Sequence, residues 1–369
     1  MVRILYDHQV FSLQNAGGAS RYQYELLRYM SSMQGVEPEL FLGLNQTVYP
    51  FQDLNSTITR VVGTRGPLGP GLLRYAVNEA LESGWSALGE KYDIYHPTYF
   101  RCMPAIRARR IVATHHDCTY EQLPHLFRDA AMIMRTRRAM FAKVDMVLCI
   151  SEASRRCLLE FYPVSAERTR VVHHGLTPLP RSQRAAEELQ AHLRRGFVLY
   201  VGARTAHKNF PGLLQAFHDS HLDEDFDLLT LGGGALTNDE KAKIAALALT
   251  PSVICIPVVT DEMLGEAYAR ASLFVYPSLS EGFGIPPLEA MAAGCPVAAS
   301  EVTAIPEICQ DAPFYFDPYD IGTIAMALQQ GVSDDESRYR AIAKGKAVAA
   351  QYRWEECGAK TLAAYRECQ

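Results

Sequence analysis

The 369-residue chain has no apolar run approaching the ~20 residues that a membrane span needs, so no transmembrane anchor is expected. Among its nine cysteines there is no C-x-x-C pair. Cys102, Cys118, Cys149 and Cys157 lack the spacing of a metal site, and an odd count fits reduced thiols better than a disulfide framework. Neither sign of charge dominates. With 36 Lys and Arg against 41 Asp and Glu, the net charge is −5 and the pI about 6.1, which argues against a nucleic-acid partner. Internal repeats and low-complexity segments are missing too. The opening MVRILYD reads directly as a strand, so no signal peptide is expected, and the chain reads as cytoplasmic.

What the chain does have is length and alternation. Its 369 residues suffice for two domains with separate cores, and 48% hydrophobic with 21% charged residues is ordinary for a globular protein. Short apolar strands are expected at 2–7, 39–42, 94–96, 111–115 and 146–150, several of them followed by helix-like sequence. The helix at 20–33 is amphipathic through Tyr24, Leu26, Leu27 and Met30. This is a parallel α/β pattern. Residues 176–196 change character, with Pro178, Pro180 and the charged stretch RSQRAAEELQAHLRR, and the domain junction is placed there. The pattern restarts at 197–201 and continues through 227–231 and 252–256. The expected domains are 1–178 and 179–353.

The most informative stretch is YPSLSEGFGIPPLEAMAAGCP, residues 276–296. A strand at 273–277 ends in Pro, 278–284 is a polar glycine loop, and Pro286 and Pro287 suit only the first turn of a helix. Gly294, Cys295 and Pro296 stop that helix, and a strand at 297–300 follows. Unbonded N–H groups of the loop and first turn suit an anion, and Gly282 and Gly284 let backbone approach a ligand closely. Glu281 and Glu289 supply carboxylates that accept hydrogen bonds from sugar hydroxyls. The pattern suits a sugar nucleotide, and an ordinary loop with one exposed and one salt-bridged Glu stands beside that reading.

Other groups carry two readings each. Arg204 and Lys208, four apart after a strand, are either a solvated pair or two cations that offset a diphosphate leaving group. Gly17 and Gly18 make either a tight turn or a close approach to ligand. His115, His116 and Asp117 end a strand, and no third ligand at metal spacing accompanies them. His173 and His174 read as interdomain lining, and the GGG at 232–234 as a further close approach. The basic residues Arg101, Arg107, Arg109, Arg110, Arg128, Arg135, Arg137, Arg138 and Lys143, with Met132, Ile133, Met134, Met140 and Phe141 interleaved, form a solvated face or a surface for anionic lipid.

These residues resemble those of retaining glycosyltransferases of family 4. Glu281 and Glu289 match the family's E-x7-E signature within GFG-x-P-x-x-EAM, and the likeness runs on through SEVTAIPEICQDAPFYFDPYD. YVGARTAHKNFPGLLQAF, NAGGASRYQYELL and THHDCTYEQLP resemble three further family segments, so the likeness covers most of the chain. It implies a GT-B fold: two Rossmann-like, doubly wound α/β domains facing a central cleft, with a last helix at 354–369 crossing back to the first domain. It implies a nucleotide-diphosphate sugar as donor, no metal and no cofactor. The acceptor would be a glycan or a polyprenyl-diphosphate-linked glycan, met in peripheral contact with the inner membrane. His116 would serve the sugar's C6 hydroxyl beside Asp117, and Gly18, after Gly17, would approach the donor. Arg204 and Lys208 would hold the diphosphate, and backbone at Val259 the base. Glu289 would hold ribose, and Glu281 with Gly282, Phe283 and Gly284 the sugar. The style of the sequence suggests mannose transfer in surface-polysaccharide or O-antigen synthesis. A GT-B sugar-nucleotide epimerase, a pyridoxal-phosphate phosphorylase and a non-catalytic sugar-nucleotide binder are the alternatives.

Overall fold

The structure, a computed structural model, describes residues 1–15, 17–45, 47–54, 60–65, 71–88, 91–100 and 106–369. Arg101 and Cys102 lie outside them. The chain forms two compact units, one of Met1–Gly175 with Arg353–Gln369, the other Leu176–Tyr352.

The first unit is built on parallel strands β1 (Val2–Tyr6), β2 (Val36–Asn45), β3 (Arg60–Arg65), β4 (Tyr92–His96), β5 (Ala108–His115), β6 (Met146–Cys149) and β7 (Thr169–Val171), in the order β3-β2-β1-β4-β5-β6-β7. Strands covered on both faces read as unbroken apolar runs, and all four residues of β6, MVLC, are buried. The helices Gly18–Met30 and Trp354–Cys368 share one core cluster with β1, through Leu26, Leu27 and Met30 on one and Leu362 and Tyr365 on the other. The Tyr365 hydroxyl meets that of Tyr6 at 2.9 Å and His96 Nδ1 at 2.5 Å.

The second unit carries β8 (Phe197–Val201), β9 (Asp227–Leu231), β10 (Val253–Ile256), β11 (Leu273–Tyr276), β12 (Val297–Ser300) and β13 (Phe314–Phe316), all parallel, in the order β10-β9-β8-β11-β12-β13. Chain order reverses between β8 and β11. In open α/β sheets that reversal opens a crevice at the carboxyl ends of the strands, where ligands bind. The charged stretch after Pro180 is a half-buried helix, Gln183–Gln190: Ser182 caps it, and Ala185, Ala186 and Leu189 face inward.

One expectation changes. Cys118 and Cys157 form a disulfide, with Cα atoms 6.3 Å apart. Cys118 opens the short helix Thr119–Gln122 and Cys157 lies on the buried face of Glu152–Phe161. Their sequence separation of 39 hides this pairing from spacing rules, which had favoured reduced thiols.

Candidate active site

The loops after β8 and β11 flank the switch point, and Lys208 of the first meets Glu281 of the second. Lys208 Nζ lies 2.5 Å from Glu281 Oε1 and 3.4 Å from the Tyr276 hydroxyl, over that ring at 5.4 Å from its centre. The Lys208 side chain is 23% exposed and that of Glu281 12%, so both keep some contact with solvent. Burial, then the Glu281 charge, pushes the Tyr276 phenol well above its ordinary range, so it keeps its proton. The Leu279 amide donates to the His207 carbonyl at 2.7 Å and ties the two loops together. Thr303 Oγ1 accepts the Glu281 amide at 2.9 Å from a left-handed backbone of φ +50°, an outlier for a β-branched residue.

Gly284 turns the chain from this loop into the helix Ile285–Ala293. Its φ of +105° favours glycine, and a Cβ there would sit 2.7 Å from Ile305. Pro286 and Pro287 occupy the first turn, where no N–H is missed, and Gly294 at φ +81° ends the helix. A helix N-terminus, with its positive dipole end and the amides of Gly284 and Ile285, therefore begins four residues after Glu281. Gly282 and Phe283 complete the turn, and the Phe283 ring packs edge-on against Tyr352 at 5.6 Å. Glu289 faces inward on the same helix, with the Tyr268 hydroxyl 3.4 Å from its Oε2. Val259 is half-buried in the loop after β10, just before Thr260 caps the helix Asp261–Arg270.

Arg204 is placed differently from Lys208. It is 3% exposed and reaches Glu240 Oε1 with Nε at 2.9 Å. Its other nitrogens donate to the carbonyls of Gly232, Gly234 and Ala235 at 2.9–3.0 Å.

In the first unit, Gly17 and Gly18 begin the helix Gly18–Met30, and a Cβ at Gly18 would meet open space. His116 is buried, with the Tyr22 ring edge-on at 5.4 Å and His174 at 6.2 Å. Among the described residues its Nε2 has no hydrogen-bond partner. Burial pulls its pKa down to about 4, against the pull of Asp117, so the imidazole is neutral at pH 7. Burial raises the Asp117 carboxyl, but Arg137, the Thr119 amide and the two neighbouring histidines outweigh it and bring it down to about 2. His174 packs on Tyr22 at 4.4 Å and on Trp354 at 6.4 Å.

Arg137 does not belong to a solvated or lipid-facing basic face. It is 1% exposed and donates to both oxygens of Glu121 at 2.9 Å and to the Asp117 carbonyl at 2.8 Å. Met140 and Phe141 of the same run are core residues, whereas Arg128, Arg135, Arg138, Lys143 and Met132 are exposed.

Sequence reasoning missed Tyr276, Thr303 and Glu240. Tyr276 gave a signal, as the last residue of a strand at the switch point. Thr303 and Glu240 lie 22 and 36 residues from the groups they serve, and nothing local marks them.

A two-unit α/β protein with an ion pair and a helix N-terminus at a switch point defines a candidate site, and known proteins narrow the class. The model of glycosyl transferases group 1 matches residues 182–348, and that of glycosyltransferase family 4 matches residues 16–178. O-antigen chain mannosyltransferase B of Escherichia coli is 30% identical over 95% of this chain and 96% of its own length. The O-antigen chain mannosyltransferase RfbU of Salmonella typhimurium is 25% identical over 60% of each chain. Among solved structures, Anabaena HepE in complex with UDP and glucose superposes with a TM-score of 0.76 at 17% identity, covering both chains fully. Sucrose-phosphate synthase from Thermosynechococcus elongatus gives 0.75 at 18%, over 100% of this chain and 99% of the other. These structures share the GT-B fold of two Rossmann-like units. The chain belongs to glycosyltransferase family 4, and it is a glycosyltransferase.

Proposed function

We propose that the chain is a retaining, metal-independent hexosyltransferase of O-antigen or related surface-polysaccharide assembly, and that it moves mannose from GDP-mannose. The Escherichia coli and Salmonella relatives are named O-antigen mannosyltransferases, and the Anabaena neighbour was solved with UDP and glucose, which supports a nucleoside-diphosphate sugar as donor. The observation that carries the reading is the Lys208–Glu281 pair beside the N-terminus of Ile285–Ala293.

Without ligand, each charge of that pair neutralises the other. When donor arrives, Lys208 turns to the diphosphate and Glu281 to a sugar hydroxyl, with the amides near Gly282, Phe283 and Gly284 beside them. Glu289 holds ribose, and the Val259 backbone meets the base. In the first unit, neutral His116 hydrogen-bonds the C6 hydroxyl through its unpartnered Nε2, next to ionised Asp117, and the backbone at Gly17 and Gly18 approaches the donor. The bond from the anomeric carbon to the phosphate oxygen breaks, and the acceptor oxygen bonds that carbon on the same face. The departing phosphate takes the acceptor proton. A fixed ammonium and a helix dipole supply the positive field that a divalent cation would otherwise give. The acceptor is a glycan or a polyprenyl-diphosphate-linked glycan, and exposed Arg128, Arg135, Arg138 and Lys143 rest on anionic lipid at the cytoplasmic face of the inner membrane.

The test is NMR of a reaction of GDP-mannose with a mannoside acceptor in EDTA. An α-mannoside product with release of GDP is expected. A β-linked product sinks retention, and activity that returns only with a divalent metal sinks metal independence. Conversion of the donor without acceptor favours the epimerase.

A further inference from the structure

We infer that Arg204 and Glu240 form a positioning pair that fixes the glycine loop at 232–235, so that Arg204 serves the nucleotide site through this loop and does not touch the diphosphate. The inference rests on the nucleotide-sugar reading above.

Three observations carry it. The first is that the guanidinium is already committed. Nε donates to Glu240 Oε1 at 2.9 Å, Nη1 to the Gly232 carbonyl at 3.0 Å, and Nη2 to the carbonyls of Gly234 at 2.9 Å and Ala235 at 3.0 Å. A group neutralised by a carboxylate and surrounded by three carbonyls has little field left for an anion. Turning it outward would break four hydrogen bonds at once, against the two that Lys208 holds.

The second is the loop itself. Gly232, Gly233 and Gly234 have φ of +77°, +72° and +81°, three left-handed residues in succession, a run that only glycine takes without strain. A Cβ on Gly233 would lie 2.5 Å from the Gly202 carbonyl and 3.0 Å from Arg204 Nη1. Three glycines have no side chains with which to hold this shape, and ordering them costs more backbone entropy than any other residue type. The planar fork of an arginine gathers the carbonyls of Gly232, Gly234 and Ala235 from outside, which a lysine ammonium cannot match.

The third is the anchoring of Glu240. Its Oε2 accepts the Thr237 amide at 2.7 Å, while its own amide donates to Thr237 Oγ1 at 3.2 Å. This capping box opens the helix Asn238–Ala246, so one carboxylate joins the guanidinium to the start of a helix. The Gly232 amide is fixed to the Ile256 carbonyl at 2.9 Å. The loop follows β9, and β9 pairs with β8, whose following loop carries Lys208. Both loops thus stand at adjacent carboxyl ends of the sheet, where a nucleotide would lie.

The experiment is calorimetric titration of the full chain with GDP and with UDP, for wild type, Arg204→Gln, Arg204→Lys, Glu240→Gln and the Arg204→Gln/Glu240→Gln double variant. Melting points confirm that each variant is folded, and donor KM and kcat are measured alongside. A positioning pair gives about tenfold weaker binding in each single variant, a matching rise in donor KM, and kcat within about threefold of wild type. Arg204→Lys restores nothing, although it keeps the charge, and the double variant is no worse than either single one. Direct contact with the diphosphate overturns the proposal: then Glu240→Gln binds as well as wild type or better, and Arg204→Lys recovers most of what Arg204→Gln loses. If Arg204→Gln does not fold, Glu240→Gln and Arg204→Lys alone decide between these outcomes. Wild type that binds neither GDP nor UDP overturns the nucleotide-sugar reading itself, and the pair's role with it.

Discussion

Lys208 and Glu281 close on each other at 2.5 Å across the two loops of the switch point, with the protonated Tyr276 hydroxyl alongside. The pair keeps both charges at the switch point until a donor replaces each as the other's partner, and only then would they stand as fixed electrostatic groups. Lys208→Ala and Glu281→Ala are each expected to lower kcat by ~100-fold or more, the scale of losing one fixed electrostatic partner. Turnover assays with GDP-mannose check this, and near-wild-type rates in both variants would mean that the chemistry lies elsewhere. These two residues were legible because a strand, a glycine loop and a proline-led helix bracket them in one short segment. Thr303 was not, since its hold on the Glu281 amide depends on a left-handed residue after a different strand. Arg204 was legible as a cation near the site, but its commitment to Glu240 depends on a helix 36 residues away.

At the level of elements, strands of the second unit could be read to the residue where apolar runs are bounded by glycine or charge, as at β8 and β9. Strands β7 and β13, three residues each, are too short for a period to register. The helix read as 130–141 in the structure shows another limit. Its basic residues look alike in sequence, yet Arg137 turns inward because Glu121 waits there, buried, on the preceding short helix. The carboxyl ends of β4 and β5 and the segment after β7 gather four buried histidines: His96, His115, His116 and His174. Burial lowers His96 and His115 to about 3, His116 to about 4, and His174 well below its ordinary range. Below pH ~6.5 the unfolded chain takes up protons that these folded residues refuse, so their contribution, complete above that pH, is lost as pH falls towards their folded values. Each costs up to about 1.4 kcal/mol per pH unit in that window. Urea midpoints are therefore expected to hold near pH 7 and to drop from pH ~6.5 to pH 5, and less steeply in His96→Asn. A midpoint that stays level across this range would refute the buried, neutral state of these rings.

For the whole molecule, the fold was readable because parallel α/β order leaves a strong trace: apolar strands, short loops, and glycine or proline where a helix starts or stops. The family was readable because its motifs are distributed over most of the chain. The sugar, the base and the acceptor left less trace, since backbone amides and carbonyls do much of such recognition and any side chain can stand above them. Among the described residues no helix is long and apolar enough to cross a membrane. A crystal structure of the protein with GDP-mannose would decide whether the switch point is the donor site. The diphosphate is expected within hydrogen-bond distance of Lys208 Nζ and the Gly284 and Ile285 amides that open the helix Ile285–Ala293, with the Lys208–Glu281 contact opened and Glu281 on a mannose hydroxyl. Donor bound elsewhere, with Lys208 and Glu281 still closed on each other, would show that these residues are not its site.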